Sequence, residues 1–194
     1  MKERNEESYY DEIMAFVKSQ IESNFLSAKR PLKVYCKKGE LRKGLNAIVQ
    51  ENSITIQSII DFLNRTPPLS LDIFALITDG IDYQLLIIEV KDMKAVGLQQ
   101  FSQLVGYSIV GRAKYGLLVN VDGGESPRLT ELIHTDEDLM TIDQILSSGK
   151  RIQHHYGVME WDSLTHNLTY TENGTIGSIP KLCKNLSNDF YGTP

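Results

Sequence analysis

The chain of 194 residues has only two cysteines, Cys36 and Cys183, and no apolar run that approaches a membrane span, which needs roughly 18 residues. Two cysteines so far apart exclude a disulfide framework and a four-thiolate metal or iron–sulfur site. The sequence starts with MKERNEESYYDE, which is charged where a secretory signal would be apolar. We therefore expect a cytoplasmic protein with reduced thiols and no membrane partner.

Positive charge is also scarce, because 20 Lys and Arg residues face 25 Asp and Glu residues, for a net charge of −5. This balance argues against a protein that coats nucleic acid by bulk electrostatics. The basic residues are nevertheless concentrated in residues 28–43, where Glu40 is the single acid. They are Lys29, Arg30, Lys33, Lys37, Lys38, Arg42 and Lys43. The stretch predicts either a surface that contacts phosphates or a solvated basic hairpin.

Hydrophobic periodicity predicts helices and strands in alternation. Helices are expected over residues 6–27, 58–65 and 97–112, with one or two more over 129–146; strands are expected over 45–50 and 114–121. Pro67 and Pro68 end the second helix. This order predicts one main α/β domain with a mixed central β-sheet flanked by helices.

Two apolar runs, LDIFALI and YQLLIIEV, flank the turn signal Asp79-Gly80 and predict a β-hairpin. A turn near Gly80 places Asp72 opposite a position close to Glu89. Side chains alternate along a strand, so Glu89 and Lys91 share a face, and the carbonyl of Val90 lies near the same edge. Two carboxylates and a carbonyl oxygen favour a hard cation such as Mg²⁺ or Mn²⁺.

This arrangement of an aspartate, then Glu-Val-Lys after an apolar strand, then a helix resembles the PD-(D/E)XK family of restriction-endonuclease-like nucleases. On the helix, Gln103 and Tyr107 match the Q-x-x-x-Y element of RecB-like members. Gln100, Gln103 and Tyr107 lie on one stripe at helical spacing, while Leu98, Phe101, Val105 and Ile109 form a separate apolar stripe.

The resemblance implies a restriction-endonuclease-like core and Mg²⁺-dependent hydrolysis of DNA, with Mn²⁺ as a substitute. Asp72, Glu89 and the Val90 carbonyl would hold the metal, and Lys91 would orient the attacking water. Gln103 and Tyr107 would complete the catalytic set. For DNA contacts we expect Gln100 together with four residues of the basic stretch, Lys37, Lys38, Arg42 and Lys43.

The match departs from the family pattern at two points. Leu71 stands where the proline that names the family would precede Asp72, and two cysteines exclude the relatives that carry a four-cysteine iron–sulfur cluster. Relatives add a glutamate from the first helix, and here Glu7, Glu12 and Glu22 all remain open.

We expect the nuclease-like core to span residues 1–149, and residues 150–194 to form an extension packed on it. The extension would contain a β-hairpin with an Asn173-Gly174 turn, followed by an irregular segment over residues 178–194. His154, His155 and His166 have no ligand spacing, so we expect surface or core roles for them.

Two alternatives to a DNA-cleaving enzyme stay open: a catalytically silent nuclease-like module that binds DNA or an assembly, and an acidic α/β protein that binds another protein. A homodimer is compatible with each.

Overall fold

The structure, a computed structural model, describes residues 5–192 apart from the side chains of Glu137, Tyr170 and Glu172. Its helices are α1 (Tyr10–Asn24), α2 (Leu41–Glu51), α3 (Gln57–Leu63), α4 (Leu98–Gly111), α5 (Pro127–Thr135) and α6 (Ile179–Tyr191). Its strands are β1 (Lys33–Glu40), β2 (Ser70–Thr78), β3 (Tyr83–Lys91), β4 (Ala95–Val96), β5 (Tyr115–Val121), β6 (Gly124–Glu125), β7 (Thr141–Ile145), β8 (Arg151–Asp162) and β9 (Asn167–Gly174). Short 3₁₀ turns cover Glu6–Tyr9 and Glu137–Met140.

A seven-stranded mixed sheet forms the centre of the fold, in the order β1-β2-β3-β5-β8-β7, with β9 also paired to β8. The pairs β3/β5 and β5/β8 are parallel, whereas the other pairs in this sheet are antiparallel. Strands β4 and β6 form a separate parallel pair. The expectation of a mixed sheet flanked by helices is confirmed.

The hairpin of β2 and β3 turns where the Asp79-Gly80 signal predicts. Gly80 has a φ of +90°, and the Asp79 carboxylate accepts the N–H groups of Ile81 and Asp82 at 2.9 and 2.8 Å. This turn sets a register in which Ile73 pairs with Ile88. One position further along, Asp72 and Glu89 are neighbours across the two strands.

The two faces of the sheet carry two apolar cores. Helices α1 and α6 cover one face, where Leu86, Ile88 and Val90 of β3 point. Helices α2 and α4 cover the other face, which receives the alternate residues Leu85 and Ile87. By the alternation of the strand, Glu89 belongs to the α2/α4 face. None of the helices within residues 5–192 is long and apolar enough to cross a membrane.

The strand predicted over residues 45–50 is wrong, because these residues lie inside α2. Leu41, Leu45 and Ile48 are spaced along one helical face and are fully buried against the sheet. Glu40 caps the helix by accepting the N–H of Arg42 at 2.9 Å. The basic stretch is therefore a strand followed by a helix and not a hairpin.

Residues 141–145 were expected to be helical but form β7, because they pair with the start of β8. The segment over 178–194 is also not irregular within the described residues, since α6 spans Ile179–Tyr191. The Ser178 hydroxyl accepts the N–H of Lys181 at 3.3 Å, and a proline occupies the first turn.

The second hairpin is present as β8 and β9, but it does not turn at Asn173-Gly174. The turn lies over residues 163–166, where Asp162 accepts the N–H groups of Leu164 and Thr165 at 2.8 and 3.0 Å. Gly174 ends β9 with a φ of +95°. Since β8 lies inside the sheet and α6 packs in the same core as α1, residues 150–194 are part of the core and not an appendage to it.

Candidate functional site

The candidate site lies at the end of β3, beside the start of β2. The Asp72 carboxylate crosses between the two strands, where its Oδ2 accepts the backbone N–H of Val90 at 2.9 Å. This bond fixes Asp72 next to Glu89 and Lys91. The structure therefore brings together the three residues that carry the family resemblance.

The ammonium of Lys91 lies among the acidic groups of this site. It donates to Glu89 Oε1 at 2.6 Å and to the Val90 carbonyl at 3.0 Å, and it lies 3.6 Å from Asp72 Oδ2. A further carboxylate, that of Glu6, is 3.9 Å away. The ammonium thus contacts the same three oxygens that were expected to surround a divalent cation.

Glu89 is the most deeply buried charged group of the site, with 1% of its surface exposed. Its Oε1 is bonded to Lys91, whereas its Oε2 is buried and has no hydrogen-bond partner in the described part of the chain. Burial raises the pKa of Glu89 to about 7, against the lowering effect of the Lys91 hydrogen bond, and the charge of Asp72 raises it further.

Lys91 remains a cation in this environment. Burial alone would lower the pKa of its amine, but the hydrogen bond to Glu89 and the charges of Glu89, Asp72 and Glu6 outweigh that effect and raise the pKa. The side chain is therefore a positively charged hydrogen-bond donor at neutral pH.

Two residues that sequence reasoning did not single out complete the site. Glu6 lies on the 3₁₀ turn that precedes α1, and burial raises the pKa of its carboxyl. Tyr10 is 6% exposed, and burial together with the neighbouring Asp72 carboxylate raises the pKa of its hydroxyl. The available signal was the spacing, because Tyr10 begins the buried stripe of α1 and Glu6 precedes it by four residues.

The three glutamates left open by the sequence lie elsewhere. Glu12 contacts His166 at 2.9 Å, and Glu22 accepts the N–H of Val34 at 2.9 Å, while Glu7 is exposed. Glu6, on the 3₁₀ turn before α1, is instead the glutamate that lies near Lys91.

Helix α4 presents its glutamines to solvent and to its own backbone. Gln103 donates to the Tyr107 hydroxyl at 3.1 Å, and Gln100 accepts the N–H of Gly97 at 3.0 Å as a cap. Within residues 5–192, neither Gln103 nor Tyr107 forms a hydrogen bond to Asp72, Glu89 or Lys91.

The buried face of α4 is formed by Phe101, Leu104 and Ser108. Leu98, expected in the apolar stripe, is the first residue of the helix and is 42% exposed.

The basic stretch is largely paired with acids of the same chain. Lys37 pairs with Glu51 at 2.9 Å and Lys38 with Asp11 at 3.0 Å; the Arg42 guanidinium donates to the Thr66 carbonyl at 2.5 Å. Lys43 is 87% exposed and lies 3.9 Å from Glu40. Exposed pairs of this kind contribute about 0–1 kcal/mol, so phosphates can displace them at little cost.

The donor chemistry of the site suits a hard cation, because Asp72, Glu89 and the Val90 carbonyl offer only oxygen and one Glu89 oxygen is buried without a partner. Within the described residues, no group of three or more His, Cys, Asp or Glu is arranged to hold a metal ion. The expected ligand set contains only two carboxylates, and Lys91 lies between them in this arrangement.

Comparison with known proteins adds no family to this geometry: no family model matches the chain, and searches of curated proteins and of solved structures returned no match.

Proposed function

We propose that the protein is a metal-dependent nuclease that hydrolyses phosphodiester bonds in DNA and has a restriction-endonuclease-like core. The observation that carries the proposal is the convergence of Asp72, Glu89 and Lys91 at one strand end, with a buried Glu89 oxygen that lacks a partner. An unsatisfied buried oxygen costs roughly 1–3 kcal/mol, and a bound cation would compensate that cost.

Asp72, Glu89 and the carbonyl of Val90 would hold Mg²⁺, or Mn²⁺ in its place. When bound, such a cation polarises the scissile phosphate and lowers the pKa of a coordinated water.

The protein's own groups then have distinct tasks. Lys91, released from Glu89, orients the attacking water and offsets negative charge that develops on the phosphate. Its raised pKa keeps it protonated, so it stabilises charge and does not act as the base. The Val90 N–H holds Asp72 in one orientation.

An activity screen tests the proposal. The protein is incubated with Mg²⁺ and plasmid, linear duplex, single-stranded or four-way-junction DNA. We expect the wild type to cleave at least one substrate and Asp72→Asn to abolish cleavage without unfolding. Asp138→Asn serves as the control, because it removes the same charge at an exposed position. If the wild type cleaves none of the four and calorimetry detects no divalent-cation binding, the proposal fails.

One observation favours a second candidate, a nuclease-like module that binds DNA without cleaving it. The Lys91 ammonium pairs with Glu89 at 2.6 Å and lies 3.6 Å from Asp72, as it would in a site that does not need a metal. In that case the wild type and Asp72→Asn bind DNA equally and neither cleaves it.

A further inference from the structure

A groove lies at the end of the sheet opposite the candidate site. Strand β3 begins in this groove at Tyr83 and ends at Lys91, so the two places are ~26 Å apart at the usual rise of a strand. The groove has a volume of about 630 Å³, which lies in the range of roughly 300–1,000 Å³ that is usual for small-molecule sites.

The lining of the groove is positive although the chain is acidic. Five basic and three acidic residues line it. Lys114 and Arg151 are neutralised by Asp189 and Asp143. In contrast, the side chains of Arg65, Arg112 and Lys150 form no hydrogen bond or ion pair with any described residue, which leaves three cations available to a ligand.

Arg112 occupies a backbone position that does not suit an arginine. It ends α4 in the left-handed conformation, with φ 53° and ψ 33°, and the following N–H, of Ala113, closes the helix on the Ser108 carbonyl at 2.9 Å. Glycine adopts this conformation without strain and is the usual residue at such helix ends. A strained residue whose side chain lines a groove is typical of a functional position.

Aromatic rings stand beside these cations. Phe62 and Tyr83 pack with their ring centroids 5.7 Å apart, and both line the groove. Burial raises the pKa of Tyr83 to about 12, so its hydroxyl is a neutral hydrogen-bond donor at physiological pH.

We propose that this groove binds a phosphorylated nucleoside, either as a free nucleotide or as part of a nucleic-acid strand. Guanidinium groups bind phosphate oxygens through paired hydrogen bonds, and the rings offer a surface on which a base can stack. The acids Asp61 and Asp82 also line the groove, and a nucleoside supplies hydroxyl and amino donors for them.

The competing explanation is that Arg65 and Arg112 stabilise the helix ends after which they stand, since cations are favourable at the C-termini of helices. The two explanations differ for Arg112→Gly, which removes the guanidinium and also relieves the backbone strain. A binding role predicts weaker ligand binding without a lower melting temperature. A helix-end role predicts unchanged binding.

The test uses the full chain in EDTA, so that cleavage plays no part, and two probes: adenosine monophosphate by calorimetry and a labelled 12-nucleotide single strand by fluorescence anisotropy. We expect Arg112→Gly and Arg65→Gln each to weaken binding by ~10-fold or more, the usual loss for a charge-assisted bond to phosphate. Arg128→Gln, an exposed arginine outside the groove, is the matched control and should leave binding unchanged.

Weakened binding of the monophosphate identifies a free nucleotide, and weakened binding of the strand alone identifies nucleic acid. If the wild type binds neither probe, or if the groove variants bind as the control does, the proposal is overturned. Because the readout is binding without a divalent cation, this result is independent of whether the protein proves to be a nuclease.

Discussion

Replacing Glu89 with glutamine should change how the stability of the protein depends on pH. Burial raises the pKa of Glu89 from 4.5 to about 7. The contribution of Glu89 to the stability of the fold is fully present below pH 4.5, where its carboxyl is protonated in both the folded and the unfolded state. It is lost as the pH rises through about 7, because the folded state must then bury a carboxylate.

The size of the effect follows from the two pKa values. A tenfold change in proton affinity is worth about 1.4 kcal/mol, so the wild type should lose ~3 kcal/mol of unfolding free energy from this group between pH 4.5 and pH 8.5. Glutamine has the same shape and does not titrate. Lys91 stays protonated throughout this interval because its pKa is raised.

Thermal unfolding in EDTA at pH 5 and pH 8.5 measures the difference. On going from pH 5 to pH 8.5, the melting temperature of Glu89→Gln should rise relative to the wild type by ~5–10 °C, the equivalent of the ~2–3 kcal/mol that the wild type loses over this interval in a domain of this size. Adding Mg²⁺ at pH 8.5 should raise the melting temperature of the wild type and leave that of Glu89→Gln unchanged. Parallel pH curves for the two proteins would refute the reasoning, since Glu89 would then titrate as an exposed carboxyl does.

Three further predictions concern other parts of the molecule. Tyr107→Phe and Gln103→Ala should lower cleavage by about 100-fold if each removes a donor to the phosphate, while the free energy of unfolding changes by less than about 1 kcal/mol; unchanged activity would assign them to a solvated helix face. A further variant replaces four basic residues with alanine: Lys37, Lys38, Arg42 and Lys43. It should bind DNA of unrelated sequences more weakly and to the same extent, and the slope of log affinity against log salt concentration should flatten by roughly one unit per lost phosphate contact. Burial lowers the pKa of His154 and outweighs the hydrogen bond to the Ala113 carbonyl at 2.6 Å, which raises it. The contribution of His154 to stability is therefore present above pH 6.5 and is lost at lower pH. Urea unfolding of His154→Gln at pH 5 and pH 7.5 should show a weaker acid destabilisation than that of the wild type.

The hairpin and the three residues at its end could be predicted because local signals determine them. Asp79-Gly80 sets the turn, the turn sets the register, and the register brings Asp72 to Glu89. Each step depends on neighbours in the chain or on strand alternation, which are visible in the sequence.

The errors arose where tertiary packing decides between equal local patterns. A short apolar run such as LNAIVQ fits a strand or a buried helix, and the cap from Glu40 together with packing on the sheet makes it helical. Glu6 was not singled out because it lies on the 3₁₀ turn that precedes α1 and not on the helix itself. The separation of 85 residues between Glu6 and Lys91 is bridged only in the folded chain.

The interior position of β8 has a consequence for synthesis of the chain on the ribosome. Strand β5 is buried along its whole length and lies between β3 and β8. Until residues 151–162 have emerged, the nascent sheet presents the edge of β5 unpaired, with the run YGLLVNV accessible to other chains. An exposed apolar edge of this kind recruits foreign strands. The strands that carry Asp72 and Glu89 are translated early. The sheet that contains them is protected from aggregation only when the last quarter of the chain, which includes β8, has been translated.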